Sequence, residues 1–326
     1  MILSVEQLSI YLPYQGTPHR VVRDLSFSIS AGEMLGIVGE SGCGKSLTNL
    51  ALMGLLPPGG RVSAKRLELC GQDLLPLVSQ SDWQPVRGRR VAMIFQNPLS
   101  ALNPALTVGD QLAEALRLAN PGCSAAVVRQ MQLELLHQVG IASPQTRIHA
   151  YPHELSGGMA QRVMIAMALA LEPALLIADE PTTALDTTTQ RQIMDLLQRI
   201  REERRMAMLL VSHDIGLIGS CADRVQVMYS GELVESGPAP ELLQRPRHPY
   251  TRGLIASQPG AGDRPRKTPL PAITGSVPPL GSDIPGCRFA NRCPWFHQPC
   301  TLPQELHQAD AEPKVMVRCN RRGEPA

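Results

Sequence analysis

Residues 39–46 read GESGCGKS, which fits the spacing G-x-x-x-x-G-K-[ST]. Gly39, Gly42 and Gly44 lack a Cβ, so the backbone N–H groups of the stretch, those of Glu40, Ser41 and Cys43 included, can converge on phosphate oxygens. Lys45 adds a mobile positive charge for the outer phosphates, and the Ser46 hydroxyl is of a type that ligates Mg2+. Lysine is scarce here, four of 31 basic residues, so its presence at this position argues against accident. A second stretch, ALLIADE at 174–180, is an apolar run ending in two carboxylates. Asp179 is suited to hold the Mg2+, directly or through water, and Glu180 to polarise an attacking water as general base. Together the two stretches describe the hydrolysis of a nucleoside triphosphate.

Two further groups could do chemistry. In LSGGMAQR, residues 155–162, Ser156, Gly157 and Gly158 open an apolar helical pattern, where free N–H groups and the helix dipole attract an anion. The chain already has one phosphate loop, so a second anion site calls for a nucleotide from elsewhere. Near the far end, Cys287, Cys293, Cys300 and Cys319 are spaced C-x5-C-x6-C-x18-C. Sets of four cysteines bind zinc or iron–sulfur clusters. Structural zinc usually shows paired C-x2–4-C knuckles, which this set lacks, and wider spacing suits a cluster held from a loop. A small arm with few aliphatics cannot bury much core by itself, and folding of so small a piece usually needs disulfides, metals or association. His297 is a spare candidate ligand.

The elements that must position these groups follow from periodicity. Residues 1–36 alternate apolar and polar and read as strands. The glycine-rich turn then opens the helical run SLTNLALMGLL, which stops at Pro57, Pro58, Gly59 and Gly60. Helical patterns fill 105–171, and strand alternates with helix through ALLIADE, TTQRQIMDLLQRIREE and MAMLLVSHD. The sum is an α/β domain with a mostly helical insert near its middle. From about residue 257 to 286 the chain is rich in proline and glycine and reads as an extended arm. No window resembles a membrane span, and MILSVEQLSI has neither the basic nor the apolar region of a signal peptide. A net charge of +2 gives no broad basic surface, so nucleic acid is not an implied partner. Cys43, Cys70, Cys123 and Cys221 are scattered singly, which suits a reducing compartment and argues against disulfides.

LSGGMAQR resembles the signature sequence of ATP-binding cassette (ABC) ATPases, and PTTALD at 181–186 resembles the loop after their second carboxylate, ending in Asp186. Gln96 in MIFQNP matches the glutamine loop of that family, and His213 in LLVSHD its switch histidine. The resemblance implies a P-loop NTPase (RecA-like) fold with a helical subdomain at about 105–165, binding ATP and Mg2+. It also implies two ATP sandwiched in a head-to-tail dimer. His213 would contact the γ-phosphate, and Gln96 would position metal and water. The sequence departs from the family at Met159, where a glutamine is usual, and near residue 12, where the adenine-stacking aromatic is displaced. Leu12 occupies that position, and Tyr14, on the same strand face, is the preferred replacement.

QNPLSALNP at 96–104, RHPYTRGLIASQP at 247–259 and GCRFANRCP at 286–294 resemble segments of the dipeptide, oligopeptide and nickel importer ATPases. This implies a cassette over 1–245 and an importer-type extension over 246–326. It further implies two transmembrane permease subunits, a second homologous ATPase subunit, an external solute-binding protein, and a peripheral position on the cytoplasmic face of the membrane. Some members of the family carry a [4Fe–4S] cluster on the cysteine motif; Zn2+ is the alternative. The competing class is a soluble ABC ATPase of repair, translation or cluster assembly. The short spacing between residues 46 and 156, the single cassette and the long tail weigh against it.

Overall fold

The first long strand, Leu3–Tyr14, buries Leu3, Val5, Leu8 and Ile10. Gln15 and Gly16 both have positive φ, 50° and 81°, which a two-residue hairpin of matching twist requires. The chain therefore returns as the antiparallel strand Thr17–Ile29, registered from Tyr14↔Thr17 to Leu3↔Ile29. The opposite edge of the first strand takes up Arg61–Ser63 and Arg66–Leu69. The computed structural model describes residues 1–183, 185–259, 269–279, 281–282, 284–309 and 312–320. The chain divides into two compact units.

The unit holding this hairpin comprises Leu3–Ile29, Met34–Pro76 and Leu210–Ala326. Its second sheet is built on Met34–Val38, five residues all buried, as an apolar run covered on both faces must be. Parallel to it lies Arg224–Tyr229, which turns back as Glu232–Pro238. Glu312–Val317 then pairs with Glu232–Pro238, and His307–Ala309 with Glu312–Val317. Val315 and Val317 are buried there, with Ala309 and Cys319 packed beside them. The helices of this unit include Lys45–Leu52, Ile215–Cys221 and Pro249–Ala256. The expected extended arm has neither helix nor strand over 269–279; its residues 260–268 lie outside the described residues.

The other unit comprises Met1–Ile2, Ser30–Glu33 and Leu77–Leu209. Two buried strands, Val91–Ile94 and Leu175–Asp179, pair in parallel within it. The longer helices of this unit are Val108–Ala119, Ala125–Gln138, Gly157–Leu169 and Thr187–Arg204. Each begins at a polar cap that its sequence supplies, Thr107, Ser124, Ser156 and Asp186 respectively. Among the described residues, no helix is long and apolar enough to cross a membrane.

Candidate functional site

The phosphate loop leaves the buried strand Met34–Val38 and enters the helix Lys45–Leu52. Two glycines are required for it. A Cβ on Gly39 would stand 2.2 Å from the Met228 carbonyl oxygen, and Gly44 caps the helix with φ +105°. The Lys45 side chain, only 4% exposed, folds back over the loop. Its Nζ donates to the carbonyls of Gly39 at 2.6 Å and Glu40 at 3.1 Å. Cys43 is buried within the loop, and burial pushes its thiol pKa up. The buried thiol stays protonated and acts as a small packing residue.

Beside the loop opens a cavity of about 620 Å3, lined among others by Leu12, His19, Arg20, Ser41, Gly42 and Arg288. Leu12 and His19 pair across the hairpin, which brings both to this wall. Tyr14, 39% exposed, meets the His19 ring edge-on with centroids 5.4 Å apart. Tyr14 sits at the hairpin tip and is not among the residues that line the cavity.

In the other unit, Asp179 ends its strand buried, and Glu180 follows with φ +47°, a left-handed backbone rare for a residue with a side chain. That turn brings its carboxylate to Gln96, whose Nε2 donates to Oε2 at 3.1 Å. Thr183 Oγ1 donates to the same oxygen at 2.8 Å. Gln96 and Glu180, 84 positions apart, are therefore one constellation. Ser156 caps the helix Gly157–Leu169, accepting from the Met159 N–H at 3.3 Å. Asp186 caps the next helix, and hydrogen bonds from Thr189 hold its carboxyl below the usual carboxylate range. In the unit that holds the hairpin, His213 is exposed just past the strand Ala207–Ser212. The turn that presents it is shaped by Asp214, which accepts from the N–H groups of Gly216 and Leu217.

Residues far down the chain reach the phosphate loop. Arg292 makes a two-pronged ion pair with Glu40, at 2.5 and 2.9 Å, and Tyr250 Oη accepts from the Glu40 N–H at 2.8 Å. The guanidinium pKa is raised, chiefly by the bond to Glu40.

Residues 22–183 match the ABC transporter family model, and residues 234–300 match that of the oligopeptide/dipeptide transporter C-terminal region. The chain is 45% identical to the dipeptide transport ATP-binding protein DppD of Haemophilus influenzae, over 99% of this chain and 98% of that one. The chain belongs to the ABC transporter ATPases. It is also 46% identical to DppD of Escherichia coli, over 92% of this chain and 90% of that one. A dimeric structure of the ATP-binding cassette MJ0796 bound to ADP and Pi superposes with TM-score 0.64 and 27% identity, over 73% of this chain and 99% of that one. The fold is accordingly the P-loop NTPase fold of ABC cassettes, and this ABC ATPase hydrolyses ATP.

The four C-terminal cysteines of the ATPase gather around one narrow cavity, which His248 and His297 also line. The Cys287 N–H donates to the Cys300 carbonyl at 2.8 Å, and Cys300 Sγ lies 3.2 Å from His297 Nδ1. Burial pushes the Cys287 thiol up to about 12. Among the described residues, no group of three or more His, Cys, Asp or Glu side chains could hold a metal ion. The expected iron–sulfur or zinc site has no support from that quarter. Thr183, Tyr250 and Arg292 lie in the stretches PTTALD, RHPYTRGLIASQP and GCRFANRCP, but sequence reading assigned no role to any of the three side chains, because their partners are read only from the fold.

Proposed function

We propose that this ATPase powers a peptide importer, with residues 39–46 as the ATP phosphate loop and Glu180 as the general base. The observation that carries the reading is likeness to dipeptide transport ATP-binding proteins along nearly the whole chain, C-terminal region included. Lys45 then takes the outer phosphates, exchanging its two carbonyl partners for phosphate oxygens. Ser46 and Asp179, a hydroxyl and a carboxylate, are oxygen donors of the kind that the Mg2+ accompanying ATP requires. Glu180, held by Gln96 and Thr183, orients the attacking water and takes its proton. The cavity beside Ser41 and Gly42 takes the base and ribose, with Leu12 and His19 on its wall. Ser156, Gly157 and Gly158 present N–H groups to the nucleotide of a second ATPase subunit.

In this reading the protein sits at the cytoplasmic membrane face with two permease subunits, fed by an external solute-binding protein. Reconstitution of the chain with those components in vesicles tests it. ATP-dependent dipeptide uptake that fails with Glu180→Gln is the expected result; hydrolysis indifferent to peptide and binding protein would overturn it. Within the same reading, Cys287, Cys293, Cys300 and Cys319 hold a [4Fe–4S] cluster, which fastens the tail. Four thiols lining one cavity are the donor type that such a cluster would take. Iron analysis of anaerobically purified protein checks this: about four iron per chain is expected, and one zinc or no metal refutes it.

A further inference from the structure

We infer that Arg292, contributed by the C-terminal extension, is a positioning residue for the phosphate loop and acts through Glu40. The inference rests on the phosphate-loop reading proposed above. Glu40 is held on every side. Its N–H donates to Tyr250 Oη, its carbonyl accepts from the Cys43 N–H and from Lys45 Nζ, and its carboxylate accepts two bonds from Arg292. The residue that anchors Lys45 is thus itself anchored from 252 positions away.

The guanidinium is fully used. Nε donates to the Thr274 carbonyl at 2.8 Å. Nη1 donates to Glu40 and, at 3.3 Å, to Tyr229 Oη; Nη2 donates to Glu40 and, at 3.3 Å, to the Ile273 carbonyl. A planar fork with all its donors engaged fixes orientation as well as distance, which an ammonium cannot do. The Arg292 side chain is 5% exposed and that of Glu40 28%, so the pair is largely withdrawn from water.

Charge explains why the pair belongs there. A carboxylate within a loop that must receive a triphosphate repels its ligand, and low dielectric sharpens the repulsion. Arg292 neutralises Glu40 and pulls its side chain away, while leaving the Glu40 backbone to serve Lys45. Arg292 is in turn seated by the short turn Ala290–Arg292. The Ala290 N–H donates to the Cys287 carbonyl at 3.0 Å, and the Cys293 N–H to the Ala290 carbonyl at 3.3 Å. Two of the four cysteines therefore bracket the turn, so the conformation of the cysteine loop decides where the guanidinium points. The extension reports on itself to the nucleotide site through one side chain.

MgATP affinity of the full-length chain, measured by calorimetry alongside kcat and KM, tests the assignment. Arg292→Met should weaken binding about tenfold or more, the factor for a charged hydrogen bond lost from a buried pair, with KM rising more than kcat falls. In the Glu40→Gln background the same change should cost less than about threefold, because no carboxylate remains to be neutralised. Equal affinity for Arg292→Met and parent overturns the inference, as does an equal cost in both backgrounds. If Arg292→Met does not fold, Arg292→Lys carries the test, with weaker binding expected and parental affinity overturning it. Lys45→Ala separates the two levels. Unchanged affinity there sinks the phosphate-loop reading itself, whereas its loss beside a silent Arg292 variant sinks this inference alone.

Discussion

At the scale of single residues, the proposed chemistry turns on one carboxylate oxygen. Glu180 Oε2 accepts from both Gln96 and Thr183, and the left-handed backbone at Glu180 is the local strain that aims it. A base held this way keeps its lone pairs directed and needs no large reorganisation to act. Glu180→Gln preserves size and shape, so ATP binding should persist while turnover falls by about 10²-fold or more. Single-turnover hydrolysis with bound ATP checks this, and a parental rate would remove Glu180 from the base role. Thr183→Val should lower turnover less, about three- to tenfold, by freeing one side of the carboxylate. If its rate equals the parent's, Thr183 is not needed to orient Glu180.

At the scale of elements, burial rather than chemistry sets an unusual titration. Glu235 lies in the strand Glu232–Pro238 and accepts from the N–H groups of Arg247 and His248, so it ties the segment before the helix Pro249–Ala256 to the sheet. Burial pushes its carboxyl up to about 7, against an ordinary value of 4.5. Its stabilising contribution is therefore complete below the ordinary value and is lost as pH rises through about 7. His248 is the mirror case. Burial pushes it down to about 3, so its contribution is present above its ordinary 6.5 and is lost as pH falls. Glu235→Gln deletes only the first of these. The melting temperature of the variant, relative to the parent, should rise between pH 5 and pH 7.5; a difference constant with pH would mean that Glu235 ionises equally in folded and unfolded chains. None of this is written in the sequence as pattern. The strand–loop–helix around Lys45 was legible because glycine spacing and apolar runs are local. So was the start of the signature helix at Ser156, which needs only the next few residues. Glu235 and the role of Arg292 were not, since a buried charge declares itself only when its distant partners are known.

At the scale of the whole molecule, the signature helix tells whether one chain can complete its own reaction. Its first two residues, Gly157 and Gly158, differ in what they tolerate. A Cβ on Gly158 would meet Thr189 Cγ2 at 2.8 Å, whereas a Cβ on Gly157 meets only Leu185 Cδ2, at an ordinary 3.5 Å. Gly157→Asp can therefore be accommodated, yet it sets a carboxylate where the helix N-terminus would receive a phosphate. If that phosphate belongs to ATP held by a second subunit, the variant's own phosphate loop is untouched. MgATP affinity of the separate chain should then stay within about twofold of the parent, while steady-state hydrolysis falls about 10²-fold or more for want of the second subunit's contribution. Calorimetry and a turnover assay on the same preparation read both. Affinity and turnover falling together would place the signature beside the chain's own nucleotide and end the sandwich reading. A fall in turnover alone would mean that the ATPase is catalytically complete only as a pair, with Ser156 and Gly157 of each subunit acting on the ATP bound by the other.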